Sequence, residues 1–196
     1  MSSVTTLRTS NQSETHSTSP PRRIVLTGFM GSGKTTVGPL VAARIGWKFI
    51  DIDDVIESEA GITIAEIFAR DGEAAFRDRE HETIGRLAKD NNLVLALGGG
   101  AIERPETRDL LLSSPGTLLI HLEVELATTL ARCCGTERTR PILADHGNLA
   151  ARYQRRLPLY REAHLSIPVD KLTPEQVADA ILRAAGLEPT PQRASR

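Results

Sequence analysis

The sequence is short of cysteine, of long apolar runs, of charge of one sign and of metal-spaced histidines, and each shortage excludes a class of protein. Cys133 and Cys134 are the only cysteines. Adjacent thiols do not make a structural disulfide, so a stapled secreted scaffold is excluded and a reducing, cytoplasmic setting is expected. No apolar run approaches the roughly 20 residues of a membrane helix, so a soluble chain with no membrane association is expected. Lys and Arg number 24 against 25 Asp and Glu, a net charge of −1 that offers no general attraction to nucleic acid. His16, His81, His121, His146 and His164 are scattered without metal-site spacing. No internal repeat is present. Small molecules are the expected partners, and a monomer the expected form.

What is present is 196 residues of ordinary globular composition, 40% hydrophobic and 25% charged, enough for one domain with a substantial core. Residues 1–21 are rich in Ser, Thr, Asn and Gln, poor in hydrophobes and closed by Pro20-Pro21. They read as a disordered, solvated extension rather than a transit peptide, because they carry only Arg8 and no amphipathic pattern. The domain is expected over 22–187, and 188–196, with two prolines, as a flexible tail.

Within that domain Gly28-Phe29-Met30-Gly31-Ser32-Gly33-Lys34-Thr35 satisfies G-x-x-x-x-G-K-[ST], the phosphate-binding loop. Arg23–Thr27 reads as a buried strand running into it, and Val37, Leu40, Val41 and Ile45 mark a helix stopped by Gly46. Glycines let the backbone approach an anion, and N–H groups at a helix N-terminus form a nest for it. Gly31, Ser32, Gly33, Lys34, Thr35 and Thr36 are therefore the expected nucleotide contacts. Lys34 would reach the β- and γ-phosphates and the Thr35 hydroxyl would ligate Mg²⁺.

Trp47–Asp54 reads as a second strand ending in carboxylates. On a strand Asp51 and Asp53 would face the same way, about 7 Å apart. That suits two tasks, one on the hydration shell of a metal and one on a substrate hydroxyl. Asp54 is expected to cap a helix from Val55. Ile62–Leu87 reads as helices interrupted at Asp71-Gly72, with Phe76 in the core, Arg77 at the edge of a cleft, and Asp78 and Arg79 on an exposed face. Leu93–Leu97 reads as a strand buried on both faces, leading into Gly98, Gly99 and Gly100, whose backbone is expected against a ligand. This strand lacks the terminal acid of a Walker B element, so the metal's outer carboxylate falls to Asp51.

A fourth strand, Thr117–Leu122, precedes a helix over about Glu125–Ala131. Residues 132–148 are basic and irregular, the texture of a mobile lid, and Arg140-Pro141 stands out within them. Pro158 is expected to end or bend the next helix and so fix Arg156 near its terminus. Ser166–Val169 is an edge strand and Val177–Ala185 the closing helix. The sum is a three-layer α/β/α fold around a five-stranded parallel sheet, a P-loop NTPase of the small-kinase type. Guanine-specifying N-K-x-D and a motor's Walker B acid are both missing. Two arginines beside a glycine loop suit an acceptor carboxylate, and Asp53 suits a hydroxyl. Residue chemistry thus points to ATP-dependent phosphorylation of a hydroxylated small acid. Another small-molecule kinase, such as one for gluconate, and a nucleotide-binding regulator without turnover remain the alternatives.

Residues 28–38 together with Asp-Ile-Asp (51–53), Gly-Glu-Ala-Ala-Phe-Arg-Asp-Arg-Glu (72–80), Leu-Gly-Gly-Gly-Ala (97–101), Arg-Pro-Ile-Leu (140–143) and Arg-Leu-Pro-Leu-Tyr (156–160) resemble shikimate kinase. The likeness spans about residues 23–186 with the motifs in order. It implies transfer of the ATP γ-phosphate to the shikimate 3-hydroxyl, on the way to aromatic amino acids. It implies that Asp53, Arg77, Gly98–Gly100 and Arg156 hold shikimate, that Asp51 holds a magnesium-bound water, and that Glu80 orients the acceptor-site arginine. Arg140, on the lid, would contact ATP phosphates and act with Lys34 and Asp53 in catalysis. Arg132 or Arg138 would flank adenine. Pro39 departs from the family, which usually has a long basic residue there; a local helix bend with catalysis intact is expected.

Overall fold

The computed structural model describes residues 19–133 and 146–190. Five strands, β1 (Arg23–Thr27), β2 (Lys48–Asp51), β3 (Leu93–Ala96), β4 (Thr117–Glu123) and β5 (Leu165–Pro168), form one sheet in the order β2-β3-β1-β4-β5. Every pairing is parallel. β1 and β3 are buried at every position, as expected of central strands covered on both faces. Pro168 closes β5 at the sheet edge, where its missing N–H costs no ladder bond.

Seven helices are described: α1 (Lys34–Ile45), α2 (Ile52–Ala60), α3 (Ile64–Leu87), α4 (Pro105–Ser113), α5 (Leu126–Cys133), α6 (His146–Tyr160) and α7 (Pro174–Ala185). α1 packs on α7 and against β2 and β3, while α4 packs on β4 and α3. The core between them is aliphatic, with Ile24, Leu26, Ile84, Leu95, Ile120 and Ile181 among its wholly buried members. Parallel register aligns Asp51 with Ala96 and Thr27 with His121, so the P-loop, the carboxylates after β2 and the glycines after β3 leave the sheet by one edge. That edge is where open α/β sheets bind ligands.

Three expectations need revision. β2 stops at Asp51, whose side chain caps α2 by accepting from the Asp53 N–H at 3.0 Å; the helix starts at Ile52, not Val55, and Asp54 is not its cap. Asp53 is therefore on the first turn of a helix rather than on a strand. Secondly, α7 begins at Pro174, three residues before Val177, because Thr173 and Gln176 form a capping box ahead of an N-terminal proline. Thirdly, α5 and α6 take both ends of the expected lid, 132–133 and 146–148; its remainder, with Arg138 and Arg140, lies outside the described residues. The interruption of α3 falls at Gly72, with φ 83° and ψ 170°. α1 runs unbroken through Pro39.

Candidate active site

One cavity of about 1400 Å³ runs along the carboxyl edge of the sheet, from the P-loop at one end to α3 and α6 at the other. At the first end the backbone makes the site. Gly28, Gly31 and Gly33 take φ of 145°, 74° and 94°, angles costly for residues with a Cβ. Gly33 is the N-cap of α1, so the first free N–H groups of that helix and its positive dipole end face the loop. Lys34 folds back over it, with Nζ donating to the carbonyls of Gly28 at 2.7 Å and Phe29 at 3.3 Å. Ser32 is buried, whereas Thr35 and Thr36 are exposed on the cavity wall. Arg132, at the end of α5, lines the cavity and donates to the Gly31 and Val169 carbonyls at 3.0 and 3.2 Å.

Side chains make the other end. Asp53 and Glu80 both press against Gly98: a Cβ there would lie 2.8 Å from Asp53 Oδ1 and 2.7 Å from Glu80 Oε1. Both oxygens are buried and lack a hydrogen-bond partner among the described residues. Burial, then the neighbouring Asp51 carboxylate, pushes the Asp53 carboxyl up to about 6. Burial likewise lifts Glu80 to about 7, against the pull of Arg77, which donates to its Oε2 at 2.6 Å. Arg77 is also held by Glu73 at 3.3 Å, and its guanidinium fills the place that a Cβ on Gly100 would take. Gly98–Gly100 show none of the positive φ of the P-loop glycines; there glycine supplies room, not conformational freedom. The backbone is pressed first against the protein's own acidic and basic groups.

Arg156, on α6, is buried, with Nε and Nη2 both donating to Glu103 Oε2 at 3.0 and 2.7 Å. Its remaining nitrogen, Nη1, faces Gly99 beside the Tyr160 hydroxyl. That hydroxyl donates to the Gly99 carbonyl at 2.6 Å, and the Tyr160 ring stacks on His121 at 5.0 Å. Burial lowers His121 to about 4, so the imidazole under this brace is neutral.

Thr35 and Asp51 line the same cavity beside the phosphate nest. Among the described residues no cluster of three His, Cys, Asp or Glu could hold a metal. A hydroxyl and one carboxylate fit an ion carried mainly by phosphate oxygens and water, as Mg²⁺ is.

The family model described as Shikimate kinase matches residues 30–185. A shikimate kinase of Synechococcus sp. (strain CC9605) is 41% identical over 165 residues, 83% of this chain and 81% of that protein. The chain belongs to the shikimate kinase family. Shikimate kinase from Acinetobacter baumannii, solved in complex with shikimate, superimposes with a TM-score of 0.78 at 36% identity, covering 85% of this chain and 93% of that one. The Bacteroides thetaiotaomicron enzyme gives the same TM-score at 28% identity, with 84% and 98% covered. The expected α/β fold with its five-stranded parallel sheet is thus the fold of an ATP-dependent kinase family.

Against that shikimate kinase fold the candidate residues sort plainly. Asp51, Asp53, Arg77, Gly98, Gly99, Gly100, Arg156 and the P-loop from Gly31 to Thr36 all line one cavity. Arg140 lies outside the described residues. Three contributors were not foreseen: Glu103, which holds Arg156; the Tyr160 hydroxyl, which pins Gly99; and His121 behind it. Tyr160 was visible in the Arg-Leu-Pro-Leu-Tyr motif but had no partner to point to. Glu103 carries no local signal, since its partner is 53 residues away.

Proposed function

We infer that the protein transfers the γ-phosphate of ATP to the 3-hydroxyl of shikimate, giving shikimate 3-phosphate and ADP. The observation that carries this reading is the position of Asp53, in a single cavity between the phosphate nest at Lys34 and the arginines Arg77 and Arg156. In the transfer the 3-hydroxyl oxygen bonds to the γ-phosphorus, the bond to the β,γ-bridging oxygen breaks, and the hydroxyl proton passes to Asp53. A loose transition state needs little base strength, so Asp53 chiefly aims the hydroxyl. Its raised pKa still makes it a better proton acceptor than an ordinary aspartate of about 4.

Lys34 would neutralise charge developing on the transferring group and its leaving oxygen. Mg²⁺, held through Thr35 and a water on Asp51, would supply further charge neutralisation at the phosphates. Arg77 and Arg156 would take the acceptor carboxylate, each pre-oriented by a carboxylate of the protein, Glu80 and Glu103 respectively. Gly98–Gly100 would offer backbone groups to the acceptor face. Arg132, already on the cavity wall, would flank adenine, and Arg140 would close on the phosphates. We place the enzyme in the cytoplasm, a reading supported by the adjacent cysteines, and as a monomer, a reading supported by Asp53, Arg77, Arg156 and the P-loop of one chain lining a single cavity.

ADP release from purified protein, with shikimate and with gluconate as separate acceptors, tests the reading. Shikimate-dependent release is expected. Release that is independent of shikimate, or faster with gluconate, would overturn it.

A further inference from the structure

Nearly every arginine around the acceptor end is claimed by a carboxylate. Arg77 is held by Glu80 and Glu73, Arg155 and Arg156 share Glu103, and Arg104 pairs with Asp78. Arg152 differs. It lines the same cavity and is half-buried, yet among the described residues no hydrogen bond or ion pair ties its guanidinium. It sits four residues before Arg156 on α6, hence one turn, about 6 Å, along the same helix face. The charges that act on it are Arg156, Glu103, Arg155 and Glu73, all from the acceptor end. Burial, then the like charge of Arg156, lowers its pKa against the pull of Glu103 and Glu73, neither of which forms an ion pair with it.

We propose that Arg152 is an acceptor-recognition residue: its guanidinium meets the incoming carboxylate at the cavity mouth and, one helical turn from Arg156, completes the cationic cradle that holds it. The inference rests on the acceptor assignment above and adds to it a third arginine with donors to spare. Arg77 and Arg156 are held by protein carboxylates; Arg152, which pairs with no carboxylate among the described residues, is the group for which the substrate brings one. A purely structural arginine would be tied down, and a surface arginine would not line this cavity.

The test compares Arg152→Met, which keeps the apolar stem, and Arg152→Lys, which keeps the charge, with the wild type. Arg152→Met should raise KM for shikimate about ten- to a hundredfold, in line with a charge-assisted hydrogen bond, with kcat and KM for ATP within about twofold. Its thermal midpoint should stay at the wild-type value, and Arg152→Lys should recover most of the loss. Shikimate methyl ester, which lacks the carboxylate charge, should lose less relative to shikimate in Arg152→Met than in the wild type. An unchanged shikimate KM, a loss falling on ATP instead, or equal ester penalties in both proteins would overturn the inference while wild-type turnover stands. A wild type silent towards shikimate would remove the acceptor assignment and this inference with it.

Discussion

The two ends of the cavity are built by opposite means. At the proposed phosphate end eight consecutive residues suffice, and glycines at positive φ shape the backbone into a loop suited to an anion. At the acceptor end, α2, α3, the loop after β3, and α6 each bring one or two side chains, of which Arg77 and Glu80, and Arg156 and Glu103, are already paired before any ligand arrives. Glycine serves both, for different reasons: dihedral freedom at Gly31 and Gly33, and at Gly98 and Gly100 room for the side chains of Asp53, Glu80 and Arg77. A backbone nest is indifferent to most side-chain changes nearby. A cluster of buried, mutually opposed charges is sensitive to each of its members.

The contrast can be broken or sharpened by substitution. The largest effect is expected for Asp53→Asn, which should cut kcat by about a thousandfold, the scale of one lost preorganised group, while ATP affinity holds. Near-normal turnover would remove Asp53 from the chemistry. Next comes Arg156→Ala, which should weaken shikimate binding about a hundredfold with little change for nucleotide. It also leaves Glu103 with Arg155 alone. Equal losses for the two ligands in calorimetry would show that the ends are not separable. Gly98→Ala follows, with an expected shikimate KM about thirtyfold higher, because the added methyl meets Asp53 and Glu80 at 2.8 and 2.7 Å. Unchanged kinetics there would mean the loop yields freely.

Acidity separates the ends more gently. Asp53 must be ionised to accept a proton, so kcat/KM for shikimate should fall as pH drops below about 6, while ATP binding stays level through that range. Stability runs the other way. The pKa values of Asp53, about 6, and Glu80, about 7, lie above those of the unfolded chain. The folded protein therefore binds more protons from about pH 4 up to pH 7, and stability falls as pH rises through that window. Asp53→Asn should accordingly be more stable than wild type at pH 8, by roughly 1–2 kcal/mol, with the gain shrinking towards pH 4. A denaturation series across pH checks both sign and window. Tyr160→Phe should be the mildest change, about 1 kcal/mol of stability for the hydroxyl that holds Gly99.

How far each part was legible follows from how local its cause is. The P-loop, the strand before it and the Gly46 stop could be read because each is set within a few residues. Asp53 could be chosen as functional but not placed, since Asp51 caps α2 and so shortens β2, and two aspartates in sequence do not say which will cap. The glycines after β3 could be singled out, though not the reason they must be small, which lies in side chains from α2 and α3. Arg156 was visible as a candidate for an acceptor anion; its hold by Glu103 was not. The helix starts at Thr63 and Thr173 carry capping-box signatures, Thr-Ile-Ala-Glu and Thr-Pro-Glu-Gln, which hydrophobic spacing alone passes over.

By itself, the sequence determined that a glycine-rich loop stands between a strand and a helix, with backbone amides suited to a phosphate, and that acids and arginines follow it in a fixed order. Dihedral preferences and hydrophobic period act over a few residues, so they are written where they act. Only the tertiary structure decided which carboxylate faces which arginine, how far burial lifts Asp53 and Glu80, and that among the described residues no hydrogen bond or ion pair ties Arg152. Those outcomes depend on desolvation and on Coulomb partners dozens of residues apart, which exist only once the chain has packed.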